Sequence, residues 1–179
     1  MLKKIKKIYD AVSVLIVIVL VILALLLVGV RLFGIKPFTV LSGSMEPRYH
    51  VGSVVYVADV RPEELSVGDA LTFSNNGTVI THEIVEIIEA DSPENMYFVT
   101  KGLTNNITDG RIPVRDIIGK PVFSIPYLGY VAEYFQKPSG LIGVVCAIVI
   151  LMAVSFILDI FVKDEKDADA SEKQSSSSD

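Results

Sequence analysis

The chain has 179 residues, 51% of them hydrophobic, and a formal net charge of −5. That is too apolar for an ordinary soluble domain, and with no long basic run it offers no surface for nucleic acid. The single cysteine, Cys146, lies in an apolar run, so it excludes an intrachain disulfide and says nothing about the redox compartment.

In chain order, a basic start containing Lys3, Lys4, Lys6 and Lys7 (residues 1–10) leads into an uncharged run from Ala11 to Val30. Twenty helical residues rise about 30 Å, the hydrocarbon thickness of a bilayer. A cleavable signal peptide also begins with basic residues. However, its apolar region is shorter and ends in small residues, whereas Arg31-Leu32-Phe33 follows here. The run predicts a transmembrane helix over 11–30. A second apolar run, Gly140 to Leu158, follows Pro138 and ends at Asp159, so a second span is expected within 139–162. Lysines crowd one flank of the first span, which predicts a cytoplasmic N-terminus. Two spans return the C-terminus to the cytoplasm and leave residues 31–138 outside. The charged, serine-rich tail, 163–179, has the composition of a disordered segment.

The middle segment is long enough for one small domain with its own core. Residues 53–58, 78–88, 96–100 and 117–125 are rich in β-branched and aromatic side chains. Turn residues separate them at Val67-Gly68-Asp69, Asn75-Asn76-Gly77 and Asp91-Ser92-Pro93. The fold class expected is mainly β: a domain of short, mostly antiparallel strands anchored by two transmembrane helices. The parity of the long strand around His82 is ambiguous, because both of its faces carry apolar and polar residues.

Candidate chemistry begins at Leu41-Ser42-Gly43-Ser44-Met45-Glu46-Pro47, where a glycine-flanked turn presents Ser44 just beyond the first span. An isolated Ser-Gly-Ser is most often only a turn. A serine hydroxyl needs a base to become a nucleophile. Of the two histidines, His50 reads as a turn residue, while His82 stands mid-strand between Thr81 and Glu83. Lys101 is the rival base, but a lysine must lose about 3 to 4 pKa units to act near neutral pH and a histidine almost none. That difference favours His82. For the acid behind the histidine, Asp59, Asp69, Asp91, Asp109 and Asp116 all remain candidates on physical grounds alone.

Ser-Gly-Ser-Met-Glu-Pro, Val-Gly-Asp-Ala-Leu, Ile-Thr-His-Glu-Ile, Thr-Lys-Gly-Leu-Thr-Asn-Asn and Gly-Lys-Pro-Val-Phe-Ser-Ile-Pro-Tyr-Leu-Gly follow one another from Leu41 to Gly129. Together they resemble the successive boxes of type I signal peptidases. A histidine in the third box is similar to the ER-type branch found in archaea, some Gram-positive bacteria and the eukaryotic complex. The resemblance implies a signal-peptidase-like β domain, with Ser44 as nucleophile, His82 as general base and Asp109 as the acidic partner. It also implies an oxyanion site made by the Ser44 N–H and the Ser42 hydroxyl. Two positions depart from the family: Leu103 stands where an aspartate is usual, and Glu83 where an arginine is common.

The expected function is membrane-bound serine endopeptidase, cleaving signal peptides from exported preproteins, with the lipid bilayer and the protein translocation machinery as further partners. No cofactor or metal is expected. Two alternatives are a catalytically silent relative assisting assembly of surface or pilus proteins, and a self-cleaving or regulatory serine protease using Ser44 with Lys101.

Overall fold

The computed structural model describes residues 2–175. Backbone contacts divide the chain into two compact units, one running from Leu25 to Tyr134 and the other made of the chain before and after it.

The second of these units holds two long helices, α1 (Leu2–Leu27) and α3 (Pro138–Ser175). Each contains a stretch long and apolar enough to cross a membrane, Lys4–Leu27 and Pro138–Phe161, with no part of it buried inside the protein. Leu15, Ile22, Ile142 and Phe156 are among the apolar side chains left exposed there. Asp159, predicted to mark the exit end of the second span, pairs with Lys6 at 2.7 Å, and the Tyr9 hydroxyl donates to the Leu151 carbonyl. The start of α1 therefore lies beside the end of the α3 apolar run. Helix α3 continues through 163–175, where disorder is expected from composition. The alanines, lysines and glutamates of that stretch are good helix formers. The end of the predicted tail, 176–179, lies outside the described residues.

The unit from Leu25 to Tyr134 is built on one antiparallel sheet of seven strands: β1 (Lys36–Thr39), β2 (Val54–Ala58), β3 (Ala70–Asn75), β4 (Thr78–Ile88), β5 (Tyr97–Lys101), β6 (Arg111–Pro113) and β7 (Ile117–Ile125). Their order across the sheet is β1-β2-β7-β3-β4-β5-β6. A short helix, α2 (Leu128–Gln136), follows. The expected strands β2, β4, β5 and β7 are present within a residue of their predicted ends. The sequence reading misses β1, β3 and β6. β3 is diluted by Ala70, Ser74 and Asn75, and β1 and β6 are short and contain Pro37 and Pro113. Both prolines sit on the outer strands of the sheet, where a missing N–H interrupts no ladder.

The register explains the ambiguous parity around His82. β3 and β4 form a hairpin whose two-residue turn, Asn76-Gly77, has positive φ at both positions, as a tight hairpin turn requires. Further along, β4 carries a bulge between Ile84 and Glu86. Ile80, His82 and Ile84 share the inward face before the bulge, and Ile87 takes it over after, so the period of two breaks midway. β7 changes partner along its length, pairing Ile117 and Gly119 with β3 and the rest with β2. Gly119 sits at this handover with φ 150°, and a Cβ there would fall 2.1 Å from the Ala58 carbonyl oxygen. Only glycine permits that approach.

Two apolar clusters result. One, Leu65, Leu71, Phe73, Ile84, Phe98 and Ile112, lies under the β3–β6 half; the other gathers Met45, Tyr49, Val55, Val57 and Ala70.

Candidate active site

Ser44, His82 and Asp109 are separated by 38 and 27 residues in sequence, and the fold brings them together. His82 stands on β4 opposite Leu71 of β3, with the ring of Phe73 edge-on at 6.4 Å. Its side chain is 7% exposed and that of Asp109 is 18%. The imidazole bridges two partners: Nε2 is 3.0 Å from Ser44 Oγ, and Nδ1 is 2.5 Å from Asp109 Oδ2. The same carboxylate oxygen accepts a second hydrogen bond, from Thr100 Oγ1 at 2.8 Å. An ionised carboxylate can only accept, so Nδ1 carries the proton, Nε2 is the free acceptor, and the Ser44 hydroxyl donates to it.

Each group is held by a different device. The Ser44 turn closes through Glu46 N–H to the Gly43 carbonyl and Tyr49 N–H to the Met45 carbonyl. Met45, next to Ser44, is 2% exposed and sinks into the second cluster with Tyr49. The loop after β5 lies against this turn. Thr104 N–H donates to the Ser44 carbonyl, and Thr104 Oγ1 to the Gly43 carbonyl. A Cβ on Gly102 would lie 2.9 Å from the Ser44 carbonyl oxygen and 2.7 Å from Asn105 Nδ2, so the fourth box needs its glycine for close approach. Asp109 is recovered from the far end of that loop by its own N–H, which donates to the Thr100 carbonyl.

The remaining sequence candidates fall elsewhere. His50 binds Glu46 through Nδ1 at 2.6 Å and remains a turn residue. Lys101 is in register with Glu83 and, by strand alternation, lies on the face opposite Thr100, Ile84 and His82. Asp69, the aspartate of the second box, forms a clasp. It accepts from Ser66 N–H and pairs at 2.7 Å with Lys120 of the fifth box. Burial pushes its carboxyl up, but the Lys120 ammonium and the Ser66 N–H outweigh burial and hold it below the usual carboxylate range. Leu103, in the position that is usually acidic, is about two-fifths exposed. Glu83 faces Arg48 at 3.3 Å, and Arg48 also donates to the Gly68 carbonyl, so the turn carrying Ser44 is tied to the strand carrying His82. Ser42 Oγ is 3.3 Å from Ser44 Oγ. Sequence reasoning missed Met45, Thr100 and Thr104. All three lie within the quoted boxes, but nothing in a lone methionine or threonine announces what it will touch.

The family described as signal peptidase, peptidase S26, matches over residues 12–88, a segment that contains Ser44 and His82 and ends before Asp109. Over that segment the chain is similar to this family. Among its relatives is the signal peptidase complex catalytic subunit SEC11C, from Rattus norvegicus and from Homo sapiens. Each is 29% identical over 126 residues, covering 63% of this chain and 65% of the relative. Signal peptidase I W of Bacillus subtilis is 39% identical over 87 residues, covering 48% of this chain and 44% of that protein. The chain thus spans just under two thirds of the length of the SEC11C proteins it matches. These similarities agree with the resemblance carried by the five boxes.

Proposed function

We propose that this chain is a membrane-anchored serine endopeptidase that removes signal peptides from exported preproteins, with Ser44 as nucleophile, His82 as general base and Asp109 as the orienting acid. The observation that carries this reading is the unbroken relay from Ser44 Oγ through the His82 ring to Asp109, 3.0 Å on one side and 2.5 Å on the other. The family and the names of its relatives supply the substrate class.

The steps follow from the geometry. Ser44 Oγ attacks the scissile carbonyl carbon while its proton passes to His82 Nε2, and Asp109 steadies the imidazolium. The carbonyl oxygen becomes an oxyanion, and the Ser44 N–H and the Ser42 hydroxyl are the donors assigned to it. As the C–N bond breaks, His82 returns the proton to the leaving amine, which departs as the new N-terminus of the mature protein. Water then attacks the acyl-serine, giving its proton to Nε2, and the freed signal peptide leaves with a carboxylate while Ser44 regains its proton.

The two apolar helices serve as membrane spans in this reading. Residues 31–138 are the external catalytic domain, and the basic N-terminus and the tail are cytoplasmic. A site tethered at the bilayer meets tethered substrates at high effective concentration. Preproteins and lipid are the partners, with the translocation machinery as their source. The silent-factor alternative rested on the acidic position lost at Leu103; Asp109, 2.5 Å from His82 Nδ1, supports the active reading against it. The test is cleavage of a signal-peptide-bearing precursor by the full chain in detergent. Wild type should cleave at the signal-peptide junction and Ser44→Ala should not. Equal cleavage by both would sink the reading.

A further inference from the structure

We infer that Thr100 is a positioning residue of this active site, holding Asp109 in line with His82 by two hydrogen bonds; the inference rests on the proposed hydrolytic function and deepens it. Thr100 is completely buried on the inward face of β5, in register with Ile84 and two positions from Phe98, both also fully buried. A hydroxyl in such surroundings is costly unless it is paired. Its partner is the carboxylate oxygen that His82 uses: Thr100 Oγ1 donates to Asp109 Oδ2 at 2.8 Å, while the Thr100 carbonyl accepts the Asp109 N–H at 2.9 Å. One strand residue therefore grips both the backbone and the side chain of Asp109.

The need for such a grip follows from where Asp109 sits. It belongs to no strand, since β5 ends at Lys101 and β6 begins at Arg111. Gly110 follows it with a positive φ of 80°. A loop carboxylate has several staggered rotamers open to it, and only one points Oδ2 at His82 Nδ1. The Thr100 hydroxyl selects that rotamer, and its rigidity comes from β-branching and from the strand around it. With Leu103 in the usual acidic position, Asp109 is the one carboxylate on the ring among the described residues, so its aim is not shared. The strand thus supplies to a loop residue the rigidity that an orienting acid requires.

The test compares Thr100→Val, which keeps shape and β-branching but loses the donor, with Thr100→Ser, which keeps the donor. Both are made in the full chain in detergent, with thermal unfolding to confirm that each variant folds. For Thr100→Val we expect kcat to fall roughly 10- to 100-fold, the scale of a misplaced catalytic group, with KM little changed, and for Thr100→Ser recovery to within about threefold of wild type. The second readout needs no substrate. The short Nδ1–H to Asp109 bond should give a far-downfield proton resonance, assignable because the chain has two histidines and His50→Gln removes the other. That resonance should be kept in Thr100→Ser and be lost or shifted upfield in Thr100→Val. Wild-type kcat and an unchanged resonance in Thr100→Val would overturn the inference. A Thr100-dependent downfield proton in a wild-type chain that cleaves no precursor would instead overturn the functional reading and leave the positioning role standing.

Discussion

The two sides of the site are held by opposite means. Ser44 sits on a turn without regular secondary structure, fixed from below by buried Met45 and Tyr49 and from the side by Thr104. His82 sits in the middle of the longest strand, in register with Leu71 of β3 on one edge and one residue before the pairing with β5 begins on the other, with Phe73 edge-on to its ring. The difference matches the two tasks proposed for them. A nucleophile has to project beyond the surface with its own N–H available to an oxyanion, which a strand residue tied into a ladder cannot do. A general base has to keep one ring orientation, which a paired strand provides. Asp109 is intermediate: it is a loop residue made strand-like by its attachment to Thr100.

The largest effect should come from breaking the relay on its rigid side. Asp109→Asn retains shape but presents an amide to His82 Nδ1, favouring the wrong tautomer. We expect kcat to fall about 10⁴-fold with little change in thermal stability. A loss below about tenfold would mean that another group orients the ring. Next comes the turn. Met45→Ala opens a cavity under Ser44 and should cost about 2–5 kcal/mol in urea unfolding. It should also lower kcat in the surviving folded protein, whereas Phe98→Leu, in the other cluster, should cost stability and leave kcat nearly unchanged. Equal loss of kcat in both would erase the contrast drawn between the two sides.

Gly102→Ala tests the contact between them, since its Cβ would press on the Ser44 carbonyl. We expect kcat to drop roughly tenfold or more, measured against Leu103→Ala as a neighbour that should be neutral. A smaller effect belongs to the clasp between the second and fifth boxes. Asp69 has a lowered pKa in the folded protein, so its pairing with Lys120 contributes stability above the unfolded carboxylate value, about 3.9, and loses it as pH falls through the lower folded value. Lys120 is more than a third exposed, so the contribution is at most about 1 kcal/mol. Lys120→Met should therefore be slightly less stable than wild type near pH 6, and the difference should close below about pH 4. A gap that widens on acidification would contradict this assignment. The smallest effect expected is the Arg48–Glu83 tie, partly exposed on both sides. A double-mutant cycle should give a coupling below about 1 kcal/mol.

Much of this molecule is legible in the sequence because the relevant signals are local. An apolar run of bilayer length announces itself, as do β-branched stretches such as 78–88 and the Asn76-Gly77 turn. His82 can be favoured as base from residue chemistry, because the chain has two histidines and a lysine needs a large pKa shift, whereas Ser44 among fifteen serines is singled out by the resemblance of its box and its neighbours. The choice among five aspartates could not be made that way. It depends on a loop of nine residues between β5 and β6 returning to its starting strand, which no spacing rule encodes. The bulge in β4 is similarly invisible until β5 is laid beside it, because one extra residue has meaning only against a partner strand. The sequence by itself determined the two apolar helices and the β character of the middle segment, since these depend on residue type and period, and it nominated Ser44 and His82 through a resemblance in box order. Only the tertiary structure decided that Asp109 stands behind His82, that Asp69 is a clasp and that Thr100 joins the site, because those assignments depend on distances between residues remote in the chain.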